Sequence, residues 1–309
     1  MRRRTWLFGL ILLAAIGGGM FWFLTRPSLL PATALAQRAP NLDNGRTIFN
    51  IGGCASCHAT PVSEPKPEDR LKLGGGHALK TPFGTFKVPN ISSDPKTGMG
   101  AWSEIEFVNA MQRGVGRNGE HLYPAFPYTS YQRMRLDDVR DLFAYLKTLP
   151  AVAAVSEPHQ LSFPFTVRRG LGLWKLLYLD GKPYEASPAR SAQLNRGGYL
   201  VEGPGHCAEC HSTRGLTGGI DPAWRFAGGP DPDGKGYVPN ITPHPNGLAK
   251  WSDKDIAYML ETGQTPDGDV VGGSMADVTT NTGLVSGEDR AAIAAYLKSL
   301  PPRAGRPKK

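Results

Sequence analysis

Two short stretches of the chain carry the residue types and the spacing of a covalent attachment site. Residues 54–58 read CASCH and residues 207–211 read CAECH. In each stretch, two thiols three positions apart can form thioethers with the two vinyl groups of one porphyrin, and the next histidine can ligate its iron. The two motifs use every cysteine of the chain: Cys54, Cys57, Cys207 and Cys210. The pattern predicts two covalently bound haem c groups, with His58 and His211 as iron ligands.

Three other uses of the cysteines have to be weighed against haem. A zinc site needs four ligands, usually two C-x-x-C pairs or one pair with two histidines. The four cysteines could meet in such a site, but the histidine after each pair would then have no role. A thioredoxin-like redox pair would need neither that histidine nor a second copy. We therefore prefer haem to zinc, and zinc to disulfide bonds.

The chain repeats itself at a distance of about 150 residues, which indicates two similar domains in series. We expect haem domains over 41–152 and 191–302, joined by a strap over 153–190. The matching segments are VPNIS (88–92) and VPNIT (238–242), GMGAWS (98–103) and GLAKWS (247–252), and AYLKTLP (144–150) and AYLKSLP (295–301).

The expected fold is mainly α, because almost nothing in either repeat has the pattern of a strand. A short helix should lead into each C-x-x-C-H motif, from about Asp43 and from about Ser191. Residues 165–179 of the strap could form an amphipathic helix, packed across both domains or, less favoured, lying on a membrane surface. The middle and last helices of each repeat have recognisable ends: Ser103 to Gly114, Ser252 to Gly263, Leu136 to before Pro150, and Ser286 to before Pro301.

Methionine is the usual sulfur ligand at the second axial position of a haem iron, where it raises the reduction potential, whereas an open position permits catalysis. Met111 and Met259 fall at helical spacing with apolar neighbours, which predicts core positions. Met99 is matched by Leu248 in the second repeat, so no sulfur is needed there. The remaining candidates, each expected in a loop before the last helix of its repeat, are Met134 and Met275. The alternative ligands are His77, His121, His159, His206 and His244.

The charge of +8 is concentrated at the two ends of the chain. Nine basic residues lie within 1–38 and 303–309, where there is no acidic residue, so the part between them is nearly neutral. This distribution argues against nucleic acid as a partner. We interpret 303–309 as a basic tail.

An uncharged apolar run, WLFGLILLAAIGGGMFWFL, covers residues 6–24 after three arginines. Its length can just cross a bilayer, and the arginines predict a cytoplasmic N-terminus with the rest exported. The alternative is a signal peptide cleaved after the A-x-A sequence at 34–36. We favour an uncleaved anchor, because the run is long and far from that sequence, and expect 1–40 to form a membrane anchor with a Pro/Ala-rich tether.

Several longer segments resemble one protein family. RGGYLVEGPGHCAECHSTRG (196–215), TPFGTFKVPNISSD (81–94), LYPAFPYTSYQRM (122–134) and GGSMADVTTNTGLVSGEDRAAIAAYLKSLP (272–301) are similar to the cytochrome c subunits of bacterial membrane-bound alcohol, gluconate, sorbitol and fructose dehydrogenases. The resemblance implies two class I cytochrome c domains and supports Met134 and Met275 as iron ligands. Those subunits carry three C-x-x-C-H motifs and this chain has two, so their substrates are not carried over.

The predicted protein is a membrane-anchored dihaem c-type cytochrome of the bacterial inner membrane, with both haem domains in the periplasm. It would transfer electrons rather than catalyse a reaction by itself. The expected donor is a periplasmic or membrane-bound dehydrogenase, and the expected acceptor is quinone, an oxidase or another cytochrome. Two rivals stay open: a haem enzyme of the peroxidase or thiosulfate oxidase type, with catalysis at one open iron, and a sensor or structural module.

Overall fold

A computed structural model describes residues 2–231 and 236–306 of the 309-residue chain. The described chain is mainly helical, as the sequence predicts. The end of the predicted basic tail, residues 307–309, lies outside the described residues. The α-helices in chain order are α1 (Arg2–Leu24), α2 (Leu42–Ile51), α3 (Cys54–His58), α4 (Glu104–Arg113), α5 (Tyr128–Tyr131), α6 (Leu136–Thr148), α7 (Leu171–Tyr178), α8 (Ala192–Glu202), α9 (Asp253–Thr262), α10 (Ser274–Thr282) and α11 (Gly287–Ser299).

Helix α1 contains the apolar run, which is exposed along its length. Its Trp6–Leu24 segment is long and apolar enough to cross a membrane, and no part of it is buried. Within the described part of the chain no second helix meets these criteria, and a signal sequence would meet them equally. The helix is therefore either an anchor or a signal.

The segment after α1, which the sequence predicts to be a tether, is held against the first half of the chain by polar contacts. Thr25 is fully buried, and the Leu30 N–H donates to Asn109 Oδ1 at 2.7 Å. Arg38 makes an ion pair of 2.6 Å with Asp141 in α6. These polar contacts fix a Pro/Ala-rich stretch whose composition alone predicts flexibility.

The first half is organised around a crossing of α2 and α6. A Cβ atom at Gly45 would overlap the carbonyl oxygen of Asp141, so glycine is required for this close approach. Beside the crossing, the rings of Phe49 and Tyr145 lie 5.4 Å apart. The crossing brings the helix that leads into the first C-x-x-C-H motif against the last helix of the repeat.

The second half repeats this arrangement with α8 and α11. Here a Cβ atom at Gly197 would overlap the carbonyl oxygen of Ala292. A lysine of the last helix also makes the same kind of hydrogen bond in both halves. Lys147 Nζ donates to Met99 O at 3.1 Å, and Lys298 Nζ donates to Leu248 O at 2.9 Å, so each last helix is bound to the turn before its middle helix.

The predicted helix ends are confirmed by cap geometry. The Ser103 N–H donates to the Glu106 carboxylate at 2.7 Å at the start of α4, and the Ser252 N–H donates to the Asp255 carboxylate at 2.8 Å at the start of α9. Both pairs form complete capping boxes. The residues that end these helices have φ of 58° and 78°, which glycine adopts without strain: Gly114 and Gly263.

Short strands line the loops that follow each C-x-x-C-H motif. β1 (Ala78–Thr81), β2 (Gly84–Lys87) and β3 (Gln160–Leu161) form an antiparallel sheet in the order β1-β2-β3. Leu79 pairs with Phe86 in its first ladder. β4 (Gly229–Pro230) and β5 (Tyr237–Val238) form a two-stranded antiparallel pair. The sequence pattern predicts almost no strand, because these ladders are too short to show a period of two.

The strap contains a shorter helix than the sequence predicts. Helix α7 covers Leu171–Tyr178, and a single 3₁₀ turn precedes it at Arg168–Gly170. Two glycines in this region, Gly170 and Gly172, weaken helix formation at its N-terminal side. The strap touches both halves: Lys175 Nζ donates to Gly114 O in the first, and Trp174 Nε1 donates to Thr217 O at 2.9 Å in the second.

Candidate haem sites

The two C-x-x-C-H motifs follow equivalent helices and begin at equivalent backbone turns. Gly53, directly before Cys54, has φ of 56°. His206, directly before Cys207, has φ of 39°, a left-handed conformation that is strained for a residue with a side chain. Its ring faces the first half, with Nε2 3.3 Å from Gly52 O. In each motif, one left-handed residue thus precedes the helical turn that carries the first cysteine.

The histidine of each motif is fixed by one hydrogen bond to a proline carbonyl. His58 Nδ1 lies 2.9 Å from Pro89 O, and His211 Nδ1 lies 2.8 Å from Pro239 O. A carbonyl oxygen can only accept, so each Nδ1 carries the proton and each Nε2 keeps a lone pair for a metal. Burial lowers the pKa of both imidazoles, that of His58 to about 4, so the neutral form that ligates iron is the stable one. These side chains fit the proximal ligand of a haem.

The asparagine after each proline holds the carbonyl in place. Asn90 Nδ2 donates to Val152 O at 2.7 Å, in the segment after α6. Asn240 Nδ2 donates to Arg303 O at 2.6 Å, in the segment after α11. The repeated VPNI sequence signals these residues, but the sequence pattern alone does not reveal that they position the histidines.

The two candidate sulfur ligands have different surroundings. Met134 lies in the turn between α5 and α6, as predicted, and is fully buried. Its carbonyl oxygen accepts a hydrogen bond of 2.9 Å from Gln112 Nε2. Met275 is the second residue of α10 rather than part of a loop, because the chain folds into helix directly after Gly273. It is half-buried and packs against the hydrophobic core.

Met111 and Met259 have the core positions that the sequence predicts. Met111 in α4 is buried, and Met259 in α9 is half-buried and packed on the core. Met99 and Leu248 are both buried at equivalent places in the two halves. Their apolar environments account for them without a metal.

Four of the alternative histidines are bound to neighbours other than a metal. His121 Nε2 donates to Thr25 O at 2.7 Å, and His159 Nδ1 accepts from the Lys87 N–H at 3.1 Å. His244 is 2.5 Å from Asn246, and His206 faces Gly52 as described above; the fifth histidine, His77, is exposed. Over residues 2–231 and 236–306, no group of three or more His, Cys, Asp or Glu side chains is placed to hold a metal ion. The described residues thus give no support to a zinc site.

The attachment segment of each half contacts the methionine-bearing segment of the other half. Ser56, inside the first C-x-x-C-H motif, accepts a hydrogen bond of 2.7 Å from Asn281 Nδ2 at the end of α10. Glu209, inside the second motif, accepts hydrogen bonds of 2.9 Å from the hydroxyls of Thr129 and Ser130 in α5. Arg214 pairs with the same carboxylate at 2.8 Å. The four segments that carry the candidate ligands therefore meet at one interface between the halves.

Comparison with known proteins identifies the fold. The sequence profile of the cytochrome c family matches residues 42–150 and 200–301. The chain belongs to the cytochrome c family. Each match contains one C-x-x-C pair, Cys54 with Cys57 and Cys207 with Cys210, which is consistent with two haem c groups in this cytochrome.

Several relatives of this cytochrome are similar over nearly its whole length. A "Diheme cytochrome c-type" protein of Cereibacter sphaeroides is 46% identical over 97% of this chain and 99% of its own. The cytochrome c subunit of "Alcohol dehydrogenase (quinone)" of Gluconacetobacter polyoxogenes is 35% identical over 89% of this chain and 60% of its own. The "Fructose dehydrogenase cytochrome subunit" of Gluconobacter japonicus is 34% identical over 89% and 55%. This cytochrome is thus related to cytochrome subunits of dehydrogenases, which implies electron transfer, although it spans only part of their length.

Proposed function

We propose that this cytochrome is a dihaem electron carrier that α1 anchors in the bacterial inner membrane. Two class I cytochrome c domains, residues 41–152 and 191–302, would lie in the periplasm, with 153–190 as the strap between them. The three arginines before the apolar run support this orientation, with the N-terminus in the cytoplasm.

In this proposal each domain holds one haem through four residues. Bound haem c supplies one-electron chemistry at its iron, and the protein controls the potential through the axial ligands and their burial. The hydrogen bonds from Nδ1 to the two prolines support the histidine assignment. The assigned sets are Cys54, Cys57, His58 and Met134 for the first haem, and Cys207, Cys210, His211 and Met275 for the second.

The single observation that supports electron transfer between the two haems is the crossed set of contacts between the halves. Asn281 reaches Ser56, while Thr129 and Ser130 reach Glu209. Each attachment segment is therefore held beside the ligand segment of the other domain by polar contacts that are partly or fully buried. Such contacts fix the mutual position of the domains, which fast electron exchange between two haems requires.

The relatives suggest the class of partner. Their names describe cytochrome subunits of quinone-dependent alcohol dehydrogenase and of fructose dehydrogenase. By similarity, the donor would be a periplasmic or membrane-bound dehydrogenase, and the acceptor would be quinone, an oxidase or another cytochrome.

The test is spectroscopic and uses the full-length protein with both haems attached. We expect low-spin spectra, a sulfur–iron absorption for both haems, and no rapid binding of carbon monoxide to the reduced protein. Electrons introduced at one haem should equilibrate quickly with the other. Rapid carbon monoxide binding at one haem would favour the haem-enzyme alternative, and slow equilibration would argue against a relay.

A further inference from the structure

Helix α7 of the strap has its polar and apolar faces reversed. Leu173, Leu176 and Leu177 fall on one face and are 42%, 62% and 70% exposed. The opposite face buries Lys175, whose Nζ donates to Arg113 O at 2.8 Å and to Gly114 O. A helix on the surface of a water-soluble domain normally buries its leucines and exposes its lysine. The leucine face of α7 thus calls for an apolar environment outside the described fold.

The exposed leucines belong to a larger apolar patch. Phe163 and Phe165 in the strap are 82% and 41% exposed, and Leu216 in the second half is completely exposed. The loop with Leu216 joins the patch because Trp174 Nε1 of α7 donates to Thr217 O. We define the strap patch as Phe163, Phe165, Leu173, Leu176, Leu177 and Leu216. Phe165 is connected to the Leu216 loop through Phe83, whose ring lies 4.9 Å from that of Phe165 and 3.4 Å from the place of a Cβ atom at Gly218. A large exposed apolar patch marks an interaction site.

The strap patch adjoins the point where α1 enters the fold. A Cβ atom at Gly172 would lie 2.5 Å from Thr25 Cα, directly after α1. Arg169 Nη2 donates to Trp22 O at 2.6 Å, and its guanidinium lies 4.0 Å from the centre of the Trp22 ring. His121 holds the carbonyl of Thr25 from the other side. The start of α7 is therefore packed on the C-terminal end of the apolar helix.

We propose that the strap patch rests in the outer interfacial layer of the bilayer that α1 crosses. This inference depends on the anchor in the proposed function. If α1 spans the bilayer, its last residues lie at the lipid–water boundary, and the strap beside them must lie there too. An apolar face with tryptophan and arginine at its edge suits that boundary. The contact would fix the orientation of both haem domains relative to the membrane.

The experiment maps contacts with lipid along the full-length holoprotein. The protein is reconstituted in vesicles of phosphatidylethanolamine and phosphatidylglycerol that contain a photoactivatable diazirine phospholipid. After irradiation, mass spectrometry locates the labelled peptides. We expect label on residues 6–24 and on 163–179. The Leu176→Lys/Leu177→Lys variant should lose the label on 163–179 several-fold, whereas a matched control, Tyr258→Lys/Val270→Lys, changes apolar residues exposed elsewhere and should keep it.

The outcomes separate this inference from the anchor. Label confined to 6–24 in the wild-type protein would overturn the contact of the strap patch with lipid and leave the anchor standing. A mature protein that begins at Gln37 and still carries label on 163–179 would overturn the anchor, and with it the placement beside α1, but would show that the strap patch contacts lipid. A protein that begins at Gln37 without label on 163–179 would overturn both. The wild-type pattern decides these cases even if the lysine variant does not fold.

Discussion

The two halves of the chain share their scaffold and differ where the candidate haem ligands meet their surroundings. In both, two helices cross at a glycine, a lysine of the last helix holds the turn before the middle helix, and a proline carbonyl fixes the histidine of the C-x-x-C-H motif. The parts that set histidine geometry are the parts that repeat in sequence.

The differences lie in the methionines, the motif interiors and the strap. Met134 is fully buried, whereas Met275 is half-buried in a helix. The first motif contains the small hydroxyl of Ser56, and the second contains the buried carboxylate of Glu209. A repeated scaffold can thus hold two sites of unequal environment, and burial is one means by which a protein sets a haem potential. We therefore expect the first haem to have the higher potential, because a more enclosed site disfavours the extra charge of ferric iron.

Removing the cysteines of one half at a time should have the largest effect. Cys54→Ala/Cys57→Ala should leave one covalent haem instead of two, and Cys207→Ala/Cys210→Ala should do the same for the other half, because each thiol pair tethers its own haem. The mass of the denatured protein measures this directly. A double variant that still carried two covalent haems, or none, would contradict independent attachment in two domains.

Exchanging the sulfur ligands should separate the two potentials. A thioether favours reduced iron, so replacing it with histidine should lower the reduction potential of that haem. In a redox titration, Met134→His should shift the wave at the higher potential, and Met275→His should shift the wave at the lower potential. The sulfur–iron absorption should fall by about half in each single variant, since one of two similar chromophores is lost. Met111→Leu is the control, because it conserves volume in a core and should change neither wave. Unchanged potentials in Met134→His would refute the assignment for the first haem.

Filling the helix crossings should destabilise both halves alike. Gly45→Ala and Gly197→Ala each place a methyl group on a backbone carbonyl oxygen, and we expect a loss of roughly 1–3 kcal/mol in the free energy of unfolding. Gly272→Ala serves as the control, because a Cβ atom there meets nothing within 4 Å. Denaturant titration followed at each haem would measure the effect. A neutral result at either glycine would show that the crossing is looser than described.

The repeated scaffold is also the part that sequence patterns predicted best. The helices after Ser103 and Ser252 begin as their capping boxes indicate, since capping is local chemistry. The two last helices end before Pro150 and Pro301, as predicted. The contacts across the interface were not predictable, because Ser56 and Asn281 lie more than 200 positions apart and neither is unusual in its own segment. The sequence analysis placed Met275 in a loop and missed helix α10, because this segment has no counterpart in the first half with which it can be compared.

Ser56 and Glu209, which lie between the two cysteines of their motifs, should contribute unequally to stability. Glu209→Ala removes the charged acceptor of Thr129, Ser130 and Arg214, and the loss of hydrogen bonds to a charged group costs about 1.5–3 kcal/mol. Ser56→Ala should cost about 1 kcal/mol or less, because Asn281 Nδ2 keeps its bond to Asp277 O. Urea unfolding of the two variants compares them. Equal costs would mean that the carboxylate is not the stronger link between the halves.

The last prediction concerns a buried lysine of the strap that packs on the first half. The ammonium group of Lys175 in α7 lies against the carbonyls at the C-terminal end of α4, and burial lowers its pKa to about 7 from an ordinary value of 10.5. Between these values the unfolded chain binds a proton that the folded chain does not, so this residue makes the free energy of unfolding rise with pH from about 7 to about 10.5.

Lys175→Met removes the titrating group. The difference in stability between wild type and variant, measured by denaturant titration at several pH values, should therefore shift in favour of wild type as pH rises and level off near 10.5. Lys298→Met is the matched control, because Lys298 of the last helix also donates to backbone carbonyls, those of Leu248 and Trp251. A pH-independent difference for Lys175→Met would show that the lysine remains charged in the folded strap, held by the carbonyls of Arg113 and Gly114.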